Sequence, residues 1–206
     1  MNTINNINTY NGIPISGKML LQDYHNMKSP ENKIQRLVKN GQFIRLKRDL
    51  YVDTSNGTID TYLAANYIVM PSYVSGLTAL SHYGIIPESV FDVISMTPMR
   101  AKEYKTPAGH FTYVTCPTDY FPIGIISENV QGHNRLIASV EKALCDHILI
   151  TPNLNLRYTQ EILTWMEQDM RMDTEELSKM DLSILKQCSE YGRKSTMINK
   201  IIKIYS

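Results

Sequence analysis

Apolar residues along the first fifty positions recur at helical spacing and then switch to alternation. Ile4, Ile7 and Tyr10 fall on one face, and Gly12 with Pro14 closes that segment. Ser16 can cap a second helix over 17–24, with Met19, Leu20 and Tyr24 turned inward. The third helix has the clearest limits: Ser29 at the N-cap, Pro30 at the first helical position, Glu31 facing the positive end of the dipole, and Gly41 as the stop. Its apolar stripe is Ile34, Leu37 and Val38, leaving Asn32, Arg36 and Lys39 opposite, with Lys33 and Gln35 at the flanks. Over 42–52 the period becomes two: Ile44 and Leu46 alternate with Arg45 and Lys47, then a short turn leads to a second apolar run. That predicts a small hairpin carrying cations. Three short helices followed by a hairpin are the order of a winged helix-turn-helix, expected over residues 1–55.

Residues 54–60, with Ser55, Asn56 and Gly57, read as a linker. Beyond it the pattern predicts helices over 61–70 and 75–83, stopped by Pro71 and by Gly84 with Pro87. Strands are expected over 90–96, 110–115 and 123–127, separated by turn-prone stretches at 105–109 and 116–119. A helix over 138–150 follows, and after Pro152 three apolar stripes rich in Met and Ile run at helical spacing, the second behind an Asp173 cap. These stripes fit either an ordinary core or a partner surface. The fold class expected is α+β, with residues 59–206 forming a mixed α/β domain that has a small sheet and C-terminal helices.

Charge sharpens the division. The net charge is only +1, yet residues 1–52 hold eight Lys or Arg against three acids, or +5, while the remaining 154 residues stand at −4. A compact basic segment beside a weakly acidic one suits contact with phosphate at one end only, and suits a merely solvated charged face equally well. The side chains decide between these. Asn32, Gln35 and Arg36 are of the kinds that bond base edges, whereas Lys33, Lys39, Arg45, Lys47 and Arg48 are suited to neutralise phosphates. Double-stranded DNA is therefore the expected partner.

Other chemistry has less support. Asp92 followed by Glu103-Tyr-Lys105 has the outline of a Mg²⁺-dependent nuclease motif, but the turn expected from residue 105 onward argues against the strand that motif needs. Cys145, Asp146 and His147 are consecutive on a helix and point about 100° apart, so they do not form a triad. His147 shares a stripe with Val140, Leu144 and Ile148, which predicts a core histidine with a backbone partner. The five histidines show no metal spacing, the cysteines Cys116, Cys145 and Cys188 are too far apart for a zinc motif, and no glycine-rich phosphate loop occurs. No enzyme activity, metal or cofactor is expected. A non-DNA interaction module binding an acidic protein is a third reading. The polar N-terminus and the lack of a long apolar run predict a cytoplasmic protein with no membrane partner.

The segment KIQRLVKNGQFIRLKRDLY at 33–51 resembles the N-terminal winged helix of the AbiEi-type antitoxins. PSYVSGLTALSHYGIIPE at 71–88 and KTPAGHFTY at 105–113 are similar to that family's middle segments, and ASVEKALCD at 138–146 resembles its A-x-P-E-K-A-L-x-D signature, with Val140 in place of Pro. At the wing turn Arg48-Asp49 stands where a Gly is common. The resemblance implies an antitoxin and autorepressor of a type IV toxin–antitoxin pair, whose partner is a nucleotidyltransferase-like toxin. Glu141 and Lys142 lie in that signature, and pairing within the fold is expected of them rather than chemistry.

Overall fold

The computed structural model describes residues 10, 12–54, 57–191 and 194–206. The helix expected around Ile4 and Ile7 lies outside these, as do Ser55 and Asn56 of the linker. Tyr10 is described and meets Phe43 edge-on, ring centroids 6.4 Å apart.

The chain is an α+β protein. Its N-terminal part comprises β1 (Ile15–Ser16), α1 (Gly17–Asp23), α2 (Pro30–Lys39), β2 (Phe43–Lys47) and β3 (Leu50–Asp53). The strands form an antiparallel sheet in the order β1-β3-β2. β1 carries no periodic signal in two residues; Ser16 does cap α1, its Oγ accepting from the Met19 N–H at 3.2 Å. Met19 itself is turned outward and 55% exposed, because Gly17 and Leu20, three positions apart, face the core instead.

α2 starts and stops where its residues dictate. Pro30 opens it, although the Ser29 side chain makes no capping bond, and Gly41 at φ +71° ends it. Gly41 N–H donates to Val38 O and Gln42 N–H to Leu37 O, the paired bonds of a left-handed glycine cap. Ile34 and Leu37 are buried with Ile15, Leu20 and Phe43 in a small core between helices and sheet.

The larger part contains α3 (Thr61–Ile68), β4 (Tyr73–Val74), α4 (Gly76–His82), β5 (Val93–Thr97), β6 (Lys102–Thr106), β7 (Gly109–Thr115), β8 (Ile125–Val130), β9 (His133–Ala138) and α5 (Val140–Ile150). Then come α6 (Thr159–Thr164), a π-helical turn (Trp165–Asp169), α7 (Thr174–Leu177), α8 (Leu182–Tyr191) and α9 (Ser195–Ile204). Its mixed sheet has the order β6-β7-β5-β4-β9-β8, with β4–β9 and β5–β7 parallel. α5 begins with Val140 at its first position, and Ser139 Oγ accepts from the Lys142 N–H.

In the larger part three strands, β4, β6 and β9, exceed the sequence expectation. The β6 difference corrects a specific reading: residues 105 and 106 continue the strand, and the turn shrinks to Pro107 and Ala108. The helical stripe behind Asp173 is broken into α7 and α8, with Asp173 Oδ1 capping the first by accepting from Glu175 and Glu176 N–H.

The two parts share apolar packing. Leu46, Leu50 and Val52 leave the small core and join the larger one with Ala64, Ala65 and Ile68. Asp60, the N-cap of α3 at the end of the linker, accepts from the Tyr62 and Leu63 N–H groups, and its two carboxylate oxygens both accept from Arg135 Nη1 at 3.1 Å. Among the described residues no helix is long and apolar enough to cross a membrane.

Candidate nucleic-acid interface

Burying Ile34 and Leu37 fixes which side of α2 faces out. Asn32, Gln35, Arg36 and Lys39 are all exposed and together line one shallow depression of about 320 Å³, while Lys33 at the flank is half-buried. Arg36 Nε lies 3.4 Å from Asn32 O, so the guanidinium runs along the helix toward its N-terminus. Of the hairpin cations, Arg45 and Arg48 are exposed. Among the described residues no carboxylate forms an ion pair with Lys33, Arg36, Lys39, Arg45, Lys47 or Arg48. Of these, Arg36, Lys39, Arg45 and Arg48 are exposed as well.

The acid in the hairpin turn does not oppose this. Asp49 adopts φ +62°, and its carboxylate lies against Gly17 at the start of α1, where the helix dipole favours a negative charge. Its carbonyl accepts from the Gly17 N–H at 3.1 Å. A Cβ at Gly17 would meet the Asp49 carboxylate and come 3.3 Å from the Tyr51 ring, so the Asp49 side chain would have to turn away to admit one.

Lys47 departs from the outward row that alternation predicts. The register runs Arg45↔Tyr51 and then Lys47↔Leu50, so Leu46 is an extra residue forming a bulge. Tyr51 belongs to the small core's side of the sheet, whereas Leu50 packs into the larger core. One inserted residue therefore turns Lys47 over. Its Nζ donates to Ile68 O at 2.6 Å, at the C-terminus of α3.

Two further cations come from the larger part. Arg100 and Lys102, at the edge strand β6, join Lys47 around a hollow of about 220 Å³ whose apolar lining includes Met70 and Met99. Sequence reasoning missed them, since nothing in the local pattern ties residues 100–102 to the hairpin; packing of β2 beside β6 does so.

The nuclease outline reads differently in three dimensions. Glu103 and Lys105 lie on a strand, so the objection that they occupy a turn fails. Asp92 and Glu103 nevertheless meet the two nitrogens of one imidazole: His110 Nδ1 is 3.1 Å from Asp92 Oδ2, and Nε2 is 3.8 Å from Glu103 Oε2. Among the described residues no group of three His, Cys, Asp or Glu has metal-holding geometry.

The ASVEKALCD stretch builds a buried polar cluster. Lys142 and Asp146 are fully buried, Nζ 3.5 Å from Oδ1. Asp146 accepts from Ser75 Oγ at 2.6 Å, Tyr120 OH at 2.7 Å and Tyr73 OH at 3.0 Å, and Lys142 Nζ donates to Tyr120 O at 2.9 Å. Glu141, in contrast, accepts from the Asp181 N–H. His147 is a core residue stacked on Trp165, centroids 5.9 Å apart; its ring nitrogen Nδ1 is 3.5 Å from the Thr151 hydroxyl, not from a backbone partner. Burial pushes its pKa down to about 4.

Compared with known proteins, the chain matches no family model and no curated sequence.

Proposed function

We propose that this chain is a sequence-specific regulator that binds double-stranded DNA, with α2 as the recognition helix of a winged helix-turn-helix and β2–β3 as the wing. The observation that carries this reading is the face of α2. Asn32, Gln35, Arg36 and Lys39 stand exposed together on a capped helix whose other side is locked into a core. Amide and guanidinium groups on one helix face suit the donor and acceptor code of the major groove. Asn32, Gln35 and Arg36 read bases, and Lys33, Lys39, Arg45 and Arg48 hold the backbone. Arg100 and Lys102 add two cations beside Lys47, around a separate hollow.

The resemblance of residues 33–51, 71–88, 105–113 and 138–146 to AbiEi-type antitoxins supports a narrower version: a cytoplasmic, non-enzymatic autorepressor that opposes a nucleotidyltransferase-like toxin. The DNA-binding reading is tested by selection from a randomised duplex library. It predicts enrichment of a defined consensus and an affinity that falls with salt; a library that stays random after several rounds contradicts it.

The placement of Glu103 and Lys105 on β6 favours one second reading, a Mg²⁺-dependent nuclease using Asp92, Glu103 and Lys105. Mg²⁺-dependent nicking of supercoiled plasmid, lost in Lys105→Ala, would move that reading to the front.

A further inference from the structure

The bulge at Leu46 gives Lys47 a different task from its neighbours. We propose that Lys47 is a positioning residue: it fastens the β2–β3 hairpin to the C-terminus of α3 and so sets the angle at which Arg45 and Arg48 meet the DNA backbone. The inference rests on the DNA-binding reading above.

The last carbonyls of a helix have no partner within it, and a lysine amine both satisfies one and suits the negative end of the dipole. Ile68 is the final residue of α3, and Lys47 Nζ reaches its carbonyl at 2.6 Å. The contact joins two segments 21 residues apart across the linker. Beside it Leu46 and Leu50 are buried in the larger core, so packing and this polar tie act together on the hairpin. Arg45 Nε lies 3.4 Å from Lys47 O, which links the exposed guanidinium directly to the fastened residue. The amine pays for its place: burial first and the like charge of Lys102 second push its pKa below the ordinary lysine value.

The experiment compares Lys47→Met with the wild type, the full chain being used throughout. Without DNA, hydrogen exchange should quicken across residues 43–53 and stay unchanged in α2. With a selected duplex, Lys47→Met should bind more weakly by about the same factor, on the order of tenfold, at low and high salt. The log–log salt slope should hold, because the packed hairpin still brings Arg45 and Arg48 to the backbone, with more ordering to be done on binding. Lys47→Arg, which can still donate to Ile68 O, should restore both readings. Should Lys47→Met not fold, Lys47→Gln gives the same slope comparison.

A slope flattened by about 0.9, with a loss that fades as salt rises, would make Lys47 an ordinary phosphate contact and overturn the proposal. Unchanged exchange in the hairpin would overturn it too, since the tie would then hold nothing. A wild-type chain without salt-dependent affinity for DNA overturns the functional reading together with this one.

Discussion

Replacing Lys142 by Met should destabilise the protein more than any single change among the exposed residues of α2 and the hairpin. The side chain is fully buried, and it is the only cation within ion-pair distance of Asp146 among the described residues. Met fills similar volume but leaves the carboxylate with three hydroxyl donors and no positive charge. Breaking a buried pair in this one-sided way costs about 3–5 kcal/mol. For a chain of this size that lowers the melting temperature by roughly 6–20 °C. Asp146→Asn alone should also be costly, but the double variant should cost less than the sum, with a coupling of about 1–3 kcal/mol in a cycle of urea unfolding curves. The pH dependence has a definite sign. Burial holds the Asp146 carboxyl above the usual range, against Lys142 and the hydroxyls of Ser75, Tyr120 and Tyr73. Removing Lys142 lets it rise further. A carboxyl whose value is raised on folding binds more protons in the folded state, so stability falls as pH rises. The deficit of Lys142→Met should therefore be smaller near pH 5 than near pH 8. Additive costs in the cycle, or a deficit independent of pH, would refute the view that charge pairing organises this cluster.

His147 makes the opposite prediction: with its pKa pushed down to about 4 by burial first and Lys194 second, it is neutral when folded. Its contribution, on the order of 2–3 kcal/mol, is complete above about pH 6.5 and is lost as pH falls toward 4, a slope that His147→Gln should flatten in urea titrations. Gly17→Ala should displace the Asp49 carboxylate from the start of α1 while leaving thermal stability within about 1 kcal/mol, because the added Cβ meets a side-chain end that can rotate and Ala suits a helix better than Gly; a loss of several kcal/mol in a thermal melt would contradict this.

The parts of this fold that were legible in the sequence are those governed by local rules. Ser29, Pro30 and Gly41 bound α2, and the 3.6-residue stripe of Ile34 and Leu37 fixes its exposed face, so the placement of Asn32, Gln35, Arg36 and Lys39 follows from local sequence. What escaped depends on register or on distant chain segments. β1 and β4 are two residues each, too short for any period to show. β9 reads His-Asn-Arg-Leu-Ile-Ala, with no alternation, because it is a strand held by neighbours on both sides. β6 was hidden by the turn propensity of Pro107 and Gly109, which extends only to the two residues that actually turn. Alternation placed Lys47 beside Arg45, and only a bulge, set by pairing with β3, separates them. The partners of Asp146 come from residues 73, 75 and 120, a convergence no spacing rule reports.

Whether α2 reads sequence is decided by a competition titration of Arg36→Ala and Lys39→Ala against a selected duplex and a scrambled one. Arg36→Ala should cost about 1–3 kcal/mol on the selected site and much less on the scrambled one, shrinking the specificity ratio. Lys39→Ala should weaken both by similar factors, as a phosphate contact does. If Arg36→Ala weakens the two duplexes equally, α2 is only an electrostatic anchor; if the wild type does not distinguish them at physiological salt, the chain is not a sequence-specific regulator.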